Sequence, residues 1–116
     1  MAPDVRDQLA QGVNERESVR FDEGRTSRVE QAIEAGLAGP LTIEHLARVV
    51  RLGPTHFKRV FRATFGTSVH AYVIRRRVER ARELLANDAE LSRAQVAGRT
   101  GFADQSHMAR WLRWLS

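Results

Sequence analysis

From Ser27 onward the apolar residues recur at steps of three and four, and no stretch alternates with period two long enough to argue a strand. Ser27 and Glu30 have the spacing of a capping box, after which Val29, Ile33 and Leu37 line one face of a first helix ended by Gly39-Pro40. Thr42 is placed to cap a short second helix carrying Ile43, Leu46, Ala47 and Val50. Leu52-Gly53-Pro54 interrupts it. Pro54 suits the first turn of a third helix, where an N–H would have no intrahelical acceptor, and that helix turns Phe57, Val60, Phe61 and Phe65 inward before Gly66 stops it. A long helix follows from a cap at Thr67 or Ser68 to Ala86, with Val69, Tyr72, Val73, Val78, Ala81, Leu84 and Leu85 as its apolar positions. At 1.5 Å per residue it spans ~27 Å. Ser92 and Gln95 form a second capping box before a short helix through Val96 and Ala97 to Thr100. Gly101 turns the chain, and Asp104 caps a last helix carrying Met108, Trp111, Leu112 and Leu115. The pattern predicts an all-α fold.

The pattern also repeats. Residues 42–61 read TIEHLARVVRLGPTHFKRVF and residues 92–112 read SRAQVAGRTGFADQSHMARWL. Each begins with a Ser/Thr cap and continues to an apolar-Ala pair, Leu46-Ala47 and Val96-Ala97. Each then has a turn closed by an apolar residue, Leu52 and Phe102, and a helix opening on His-apolar-x-Arg. The offset is 50 before the turn and 51 after it, so the second turn is one residue longer. A short helix, a tight turn and a second helix make a helix-turn-helix unit, and the alanine permits the close crossing of two short helices. The outward positions of the second helix in each unit are polar. They are Thr55, Lys58, Arg59 and Arg62 in the first, and Gln105, Ser106, Ala109, Arg110 and Arg113 in the second. Arg reads guanine, Gln reads adenine, a small residue meets the thymine methyl and further cations meet phosphates, so these sets match what a DNA recognition helix requires and argue against the alternative, a plain helical bundle of two similar hairpins.

Composition narrows the remaining choices. The chain has 116 residues, 42% hydrophobic and 28% charged, which fits one ordinary folded domain. It has no cysteine, which excludes a disulfide scaffold and thiolate zinc sites. No apolar run approaches the roughly 20 residues of a membrane span, and the N-terminus lacks the pattern of a secretory signal. The net charge is +5, and every basic residue except Lys58 is Arg. Residues 45–82 hold ten basic side chains against Glu79 alone, whereas residues 1–27 are net acidic. A surface that basic suggests a polyanionic partner, although arginine richness can equally reflect a GC-rich genome, and composition alone does not choose between them. In the Arg75-Arg76-Arg77 run the side chains fan over some 200° of helix, so not all three can touch one DNA backbone. Either one or more of them, Arg76 being the candidate, contacts phosphate, or the run is a solvated linker face paired with Glu79 or Glu83.

The four histidines, His45, His56, His70 and His107, include no His-x-x-x-His pair, and a metal site is not expected. No phosphate-binding Gly loop, nucleophile elbow or paired carboxylate stands out, so neither a cofactor nor an enzyme activity is expected.

At LTIEHLA, HFKRVFRATFGTS, YVIRRRVERARELL and VAGRTGFADQSHMAR the chain resembles the DNA-binding domain of the AraC/XylS family of bacterial transcription regulators, over about residues 28–115. The resemblance implies two helix-turn-helix subdomains joined by a long linker helix, each placing a recognition helix in successive major-groove segments of double-stranded DNA. It divides the chain into a polar N-terminal arm (1–27), a first helix-turn-helix subdomain (28–66), a linker helix (67–87) and a second helix-turn-helix subdomain (88–116). The implied DNA-binding set is Thr55, Lys58, Arg59, Arg62, Arg76, Gln105, Ser106, His107, Arg110 and Arg113. Such a regulator would act in the bacterial cytoplasm as a monomer or weak dimer, with RNA polymerase as a further partner.

Two departures from the family pattern carry expectations of their own. The pattern continues past the second recognition helix through a Gly-x-Ser-Pro turn to another short helix, whereas this sequence stops at Trp114-Leu115-Ser116. The expectation is a second unit lacking part of its core, with Trp111 and Trp114 covering the face or standing as an apolar patch. The alternative function is therefore a truncated relative that acts through contacts with a regulator or RNA polymerase, with weak or no specific DNA binding. Many members also carry a sensor domain; the arm is too short for one, so no small-molecule effector site is expected.

Overall fold

The computed structural model describes residues 19–115, in which six α-helices and no strand occur. The short helix that Val5, Leu9 and Val13 would support lies outside the described residues.

The first helix, α1 (Glu23–Gly36), starts earlier than the Ser27 cap predicts. Asp22 is its N-cap and accepts from the Arg25 amide at 2.8 Å, with Glu23 beside the positive end of the helix. Ser27 lies inside α1, and its hydroxyl accepts from Gln31 Nε2 at 3.3 Å. Phe21, expected in the arm, is a core residue. Its ring centroid lies 5.8 Å from that of Phe57, and its amide donates to Thr64 Oγ1 at 2.9 Å.

The next two helices, α2 (Ile43–Val49) and α3 (Pro54–Phe65), complete the first unit. Thr42 caps α2 by accepting from the His45 amide at 3.0 Å. Pro54 opens α3 after Gly53, and Gly66 closes it in the left-handed conformation (φ 78°). The core of this unit joins Phe21, Val29, Ile33, Leu37, Leu46, Ala47, Val50, Phe57, Val60 and Phe61. Each fully buried Phe or Leu contributes roughly 1.5–3 kcal/mol relative to exposure.

The long helix α4 (Val69–Asn87) is capped by Ser68, which accepts from the Ala71 amide at 3.1 Å. Its apolar residues divide between two cores. Val69 and Val73 close the first, while Ile74, Val78 and Ala81 open the second. The second unit is completed by α5 (Arg93–Arg99), whose Ser92–Gln95 capping box is formed in both directions, and by α6 (Gln105–Trp114), capped by Asp104. Val96, Ala97, Phe102 and Met108 are buried with the three α4 residues.

The two units share a turn geometry. In the first the Leu52 amide donates to the Ala47 carbonyl at 3.0 Å, and in the second the Phe102 amide donates to the Ala97 carbonyl at 3.0 Å. The preceding residue is left-handed in both, Arg51 at φ 60° and Gly101 at φ 81°. The additional residue of the second turn, Ala103, follows this shared geometry. Thr100 is fully buried where the first unit has Val50, and its hydroxyl donates to the Val96 carbonyl at 2.7 Å. Packing diverges in the last helix. Trp111 and Leu112 are only half-buried at the positions of buried Val60 and Phe61, and Trp114 is 78% exposed.

Candidate nucleic-acid interface

Helix α3 has two chemically opposite faces. Phe57, Val60 and Phe61 are buried, which fixes the rotation of the helix, and Thr55, Lys58, Arg59 and Arg62 are consequently all exposed. No carboxylate occurs in α3, so nothing on the helix itself neutralises the three cations. Lys58, Arg59 and Arg62 also line a shallow groove whose other wall is Ser68 and Val69, at the start of α4. Cations beside a helix N-terminus suit phosphate, and a guanidinium on the same outward face can equally reach a base edge. Ser68 is the one residue of this surface that the sequence pattern marks only as a cap.

Helix α6 offers a second, less basic face. Gln105, Ser106, Arg110 and Arg113 are exposed and Ala109 is partly covered, with Met108 buried opposite them. His107 departs from its expected place on this face. Its ring is half-buried, edge-on to Phe102 at 5.6 Å, and its Nε2 accepts from the Trp111 indole N–H at 3.2 Å. One helical turn separates His107 from Trp111, so the imidazole is drawn back along its own helix. His56, its counterpart in the repeat, is exposed.

Arg76 also departs from expectation. Its Nε and Nη2 grip the Glu34 carboxylate of α1 at 2.7 and 2.9 Å, and its Nη1 bonds Glu79 on its own helix. Those bonds raise the Arg76 pKa further, and the hydrogen bond from Arg76 holds the Glu34 carboxyl below its ordinary value against the opposing effect of burial. The reason lies in the helix rotation: the turn of α4 that buries Val73 and Ile74 points residue 76 toward α1. Arg76 therefore ties two helices of the protein together.

Three more of the linker arginines are similarly engaged, whereas Arg75 is exposed. Arg77 donates from Nε to the Leu37 carbonyl at 3.1 Å and from Nη2 to the Gly39 carbonyl at 2.8 Å. Burial lowers its pKa. Arg80 pairs with Glu83 at 3.2 Å, and Arg82 donates to the Leu112 carbonyl of α6 at 3.0 Å. Much of the positive charge of the chain's middle third thus serves the fold. The carbonyls it satisfies lie where α1 and α6 end, and the Gly39-Pro40 stop was a legible sign that α1 needs such a donor.

Among the described residues no cluster of three or more His, Cys, Asp or Glu side chains could hold a metal, and no helix is long and apolar enough to cross a membrane.

Comparison with known proteins agrees with this geometry. A helix-turn-helix domain model matches residues 46–115. The chain is 30% identical over 100 residues to the probable transcriptional regulator LumQ of Photobacterium leiognathi, covering 82% of this chain and 40% of LumQ. It is 35% identical over 81 residues to the regulatory protein PocR of Salmonella typhimurium, covering 70% of this chain and 26% of PocR. The chain therefore spans well under half the length of these relatives. Two solved structures superpose with a TM-score of 0.73 over 80% of the chain. One is the C-terminal domain of the response regulator yesN from Fusobacterium nucleatum, at 21% identity and 98% of that chain. The other is a regulator from Chromobacterium violaceum with an AraC-type DNA-binding domain, at 25% identity and 82% of that chain.

Proposed function

We propose that this chain, which belongs to the AraC-type helix-turn-helix family of transcription regulators, binds a specific DNA duplex by placing α3 and α6 in successive major-groove segments. The observation that carries the reading is the α3 surface, where Thr55, Lys58, Arg59 and Arg62 are exposed together on a helix with no carboxylate. Arg59 is assigned to base readout. Lys58 and Arg62, beside the start of α4, are assigned to phosphate. In the second unit Gln105, Ser106, Arg110 and Arg113 form the reading face. Arg76 and His107 are left out of the interface because their polar atoms are held within the protein.

Phosphate contacts supply salt-dependent affinity, and base contacts supply sequence choice. Selection of bound sequences from a random duplex pool tests the reading directly. Two half-sites about one helical turn apart are expected. A single half-site would confine readout to one unit, and no enriched sequence would overturn the proposal. A second reading, contact with another protein such as RNA polymerase, draws on the exposed Trp114 beside Trp111. It predicts that Trp114→Ala abolishes regulation in cells without changing duplex binding.

A further inference from the structure

We infer that Arg77 and Gly101 form a lock between the two units that fixes the separation and phase of α3 and α6, and so determines which half-site spacing the protein accepts. The spacing consequence rests on the DNA-reading proposal above; the lock itself does not.

Helix α4 is the covalent bridge, yet its apolar residues belong to two separate cores that meet at Val73 and Ile74. Hydrophobic packing alone would hold each unit to its own half of α4 and leave their relative orientation to the helix. A polar junction adds a second connection. The Arg77 guanidinium reaches from α4 to the carbonyls of Leu37 and Gly39, at the end of α1. Gly101, in the turn of the second unit, lies directly against the same point. A Cβ built on Gly101 would overlap the Leu37 carbonyl oxygen and stand 2.6 Å from Arg77 Nε. The end of α1 in the first unit, the linker and the turn of the second unit therefore meet at one guanidinium.

The internal repeat identifies why residue 101 is glycine. Its counterpart Arg51 adopts the same left-handed conformation, at φ 60° against φ 81°, while carrying a full side chain into solvent. The turn by itself thus accepts a side chain. What excludes one at residue 101 is the approach of the first unit, a requirement the first turn does not share. Arg77 is specialised in a matching way. It forms no ion pair among the described residues, and its charge faces the carbonyl end of α1, where the helix dipole is negative. Held there, it is a positioning residue rather than a phosphate contact.

Two measurements test this. The chain has no cysteine, so spin labels at Glu44→Cys and Ala94→Cys, both exposed and one in each unit, report the distance between units without background labelling. In the free protein a narrow distance distribution is expected, broadened by Arg77→Met, with Arg77→Lys intermediate because it keeps the charge and a donor. On duplexes carrying the selected half-sites with 1 or 2 bp added or removed, Arg77→Met is expected to lose at least about tenfold of the spacing discrimination. Its affinity for an isolated half-site should stay unchanged, since each reading face is intact. Should Arg77→Met fail to melt cooperatively, Arg77→Lys is measured in its place. An unchanged distance distribution overturns the lock. A broadened distribution with unchanged spacing discrimination overturns its role in specificity. If the parent protein shows no sequence preference, the DNA reading fails and the label distances still decide on the lock.

Discussion

Gly101→Ala separates two reasons for a glycine by magnitude. A left-handed turn disfavours a Cβ by about 1–2 kcal/mol. The added methyl group would also overlap the Leu37 carbonyl oxygen, which is backbone and cannot swing away as a side chain would. Forcing an atom into such a contact shifts the neighbouring backbone at about 1–3 kcal/mol. Against this, replacing glycine restricts the unfolded chain and returns about 0.4–1 kcal/mol. The net expectation is a loss of about 2–4 kcal/mol, a large share of the roughly 5–15 kcal/mol that stabilises an ordinary domain. Urea unfolding followed by far-ultraviolet circular dichroism measures it, with Arg51→Gly as the internal control. At Arg51 the left-handed conformation is the same but no neighbour intrudes, so Arg51→Gly should gain under about 1 kcal/mol. A loss for Gly101→Ala that merely mirrors the Arg51→Gly gain would refute the close approach of the two units.

Three further outcomes follow from particular contacts. Arg59→Ala should cost ~1–3 kcal/mol of specific binding and relax preference at one base position, whereas Arg76→Ala should leave affinity and its salt dependence unchanged in gel-shift titrations. The Arg76–Glu34 tie lowers the Glu34 pKa, so its stabilisation is complete above the ordinary glutamate value near 4.5 and fades as pH falls below it. Because the pair is solvent-screened, Glu34→Gln should remove under about 1 kcal/mol at neutral pH and flatten the acid limb of a stability–pH profile. Thr100→Val should be nearly neutral in thermal melts, since the repeat already places Val50 at that position and the Val96 carbonyl keeps its place within α5.

The helices and the repeat were legible because both rest on local signals. Thr42, Ser92 and Asp104 cap the elements that their spacing predicts, and Leu46-Ala47 and Val96-Ala97 are buried as the matched pattern requires. The start of α1 was hidden by Gly24, which reads as a breaker but sits in the first turn, where the Asp22 cap and tertiary packing outweigh its propensity. Long-range polar partners were less accessible. Within α4 the pairing of Arg76 with Glu79 follows helical spacing, but Glu34 lies 42 residues away, and only the packing of α4 on α1 brings it near. The same holds for Arg77 and Arg82, whose acceptors are main-chain carbonyls that carry no sequence signature. A count of arginines therefore overstates the charge offered to DNA, and the outward face of α3 is the better guide.

The division of α4 between two cores has a practical consequence for dissecting the molecule. A fragment ending at Gly66 would strip Val69 and Val73 from the first core and uncover the Phe61 and Phe65 rings against which Tyr72 packs. A fragment beginning at Asp88 would take Ile74, Val78 and Ala81 from the second. The smallest pieces that keep their own cores abut between Val73 and Ile74, in the middle of α4, so a single cut leaves each half with only part of the helix it packs against. Loss of either core frays the helix that the other depends on, so the two helix-turn-helix units are expected to unfold together in a single transition.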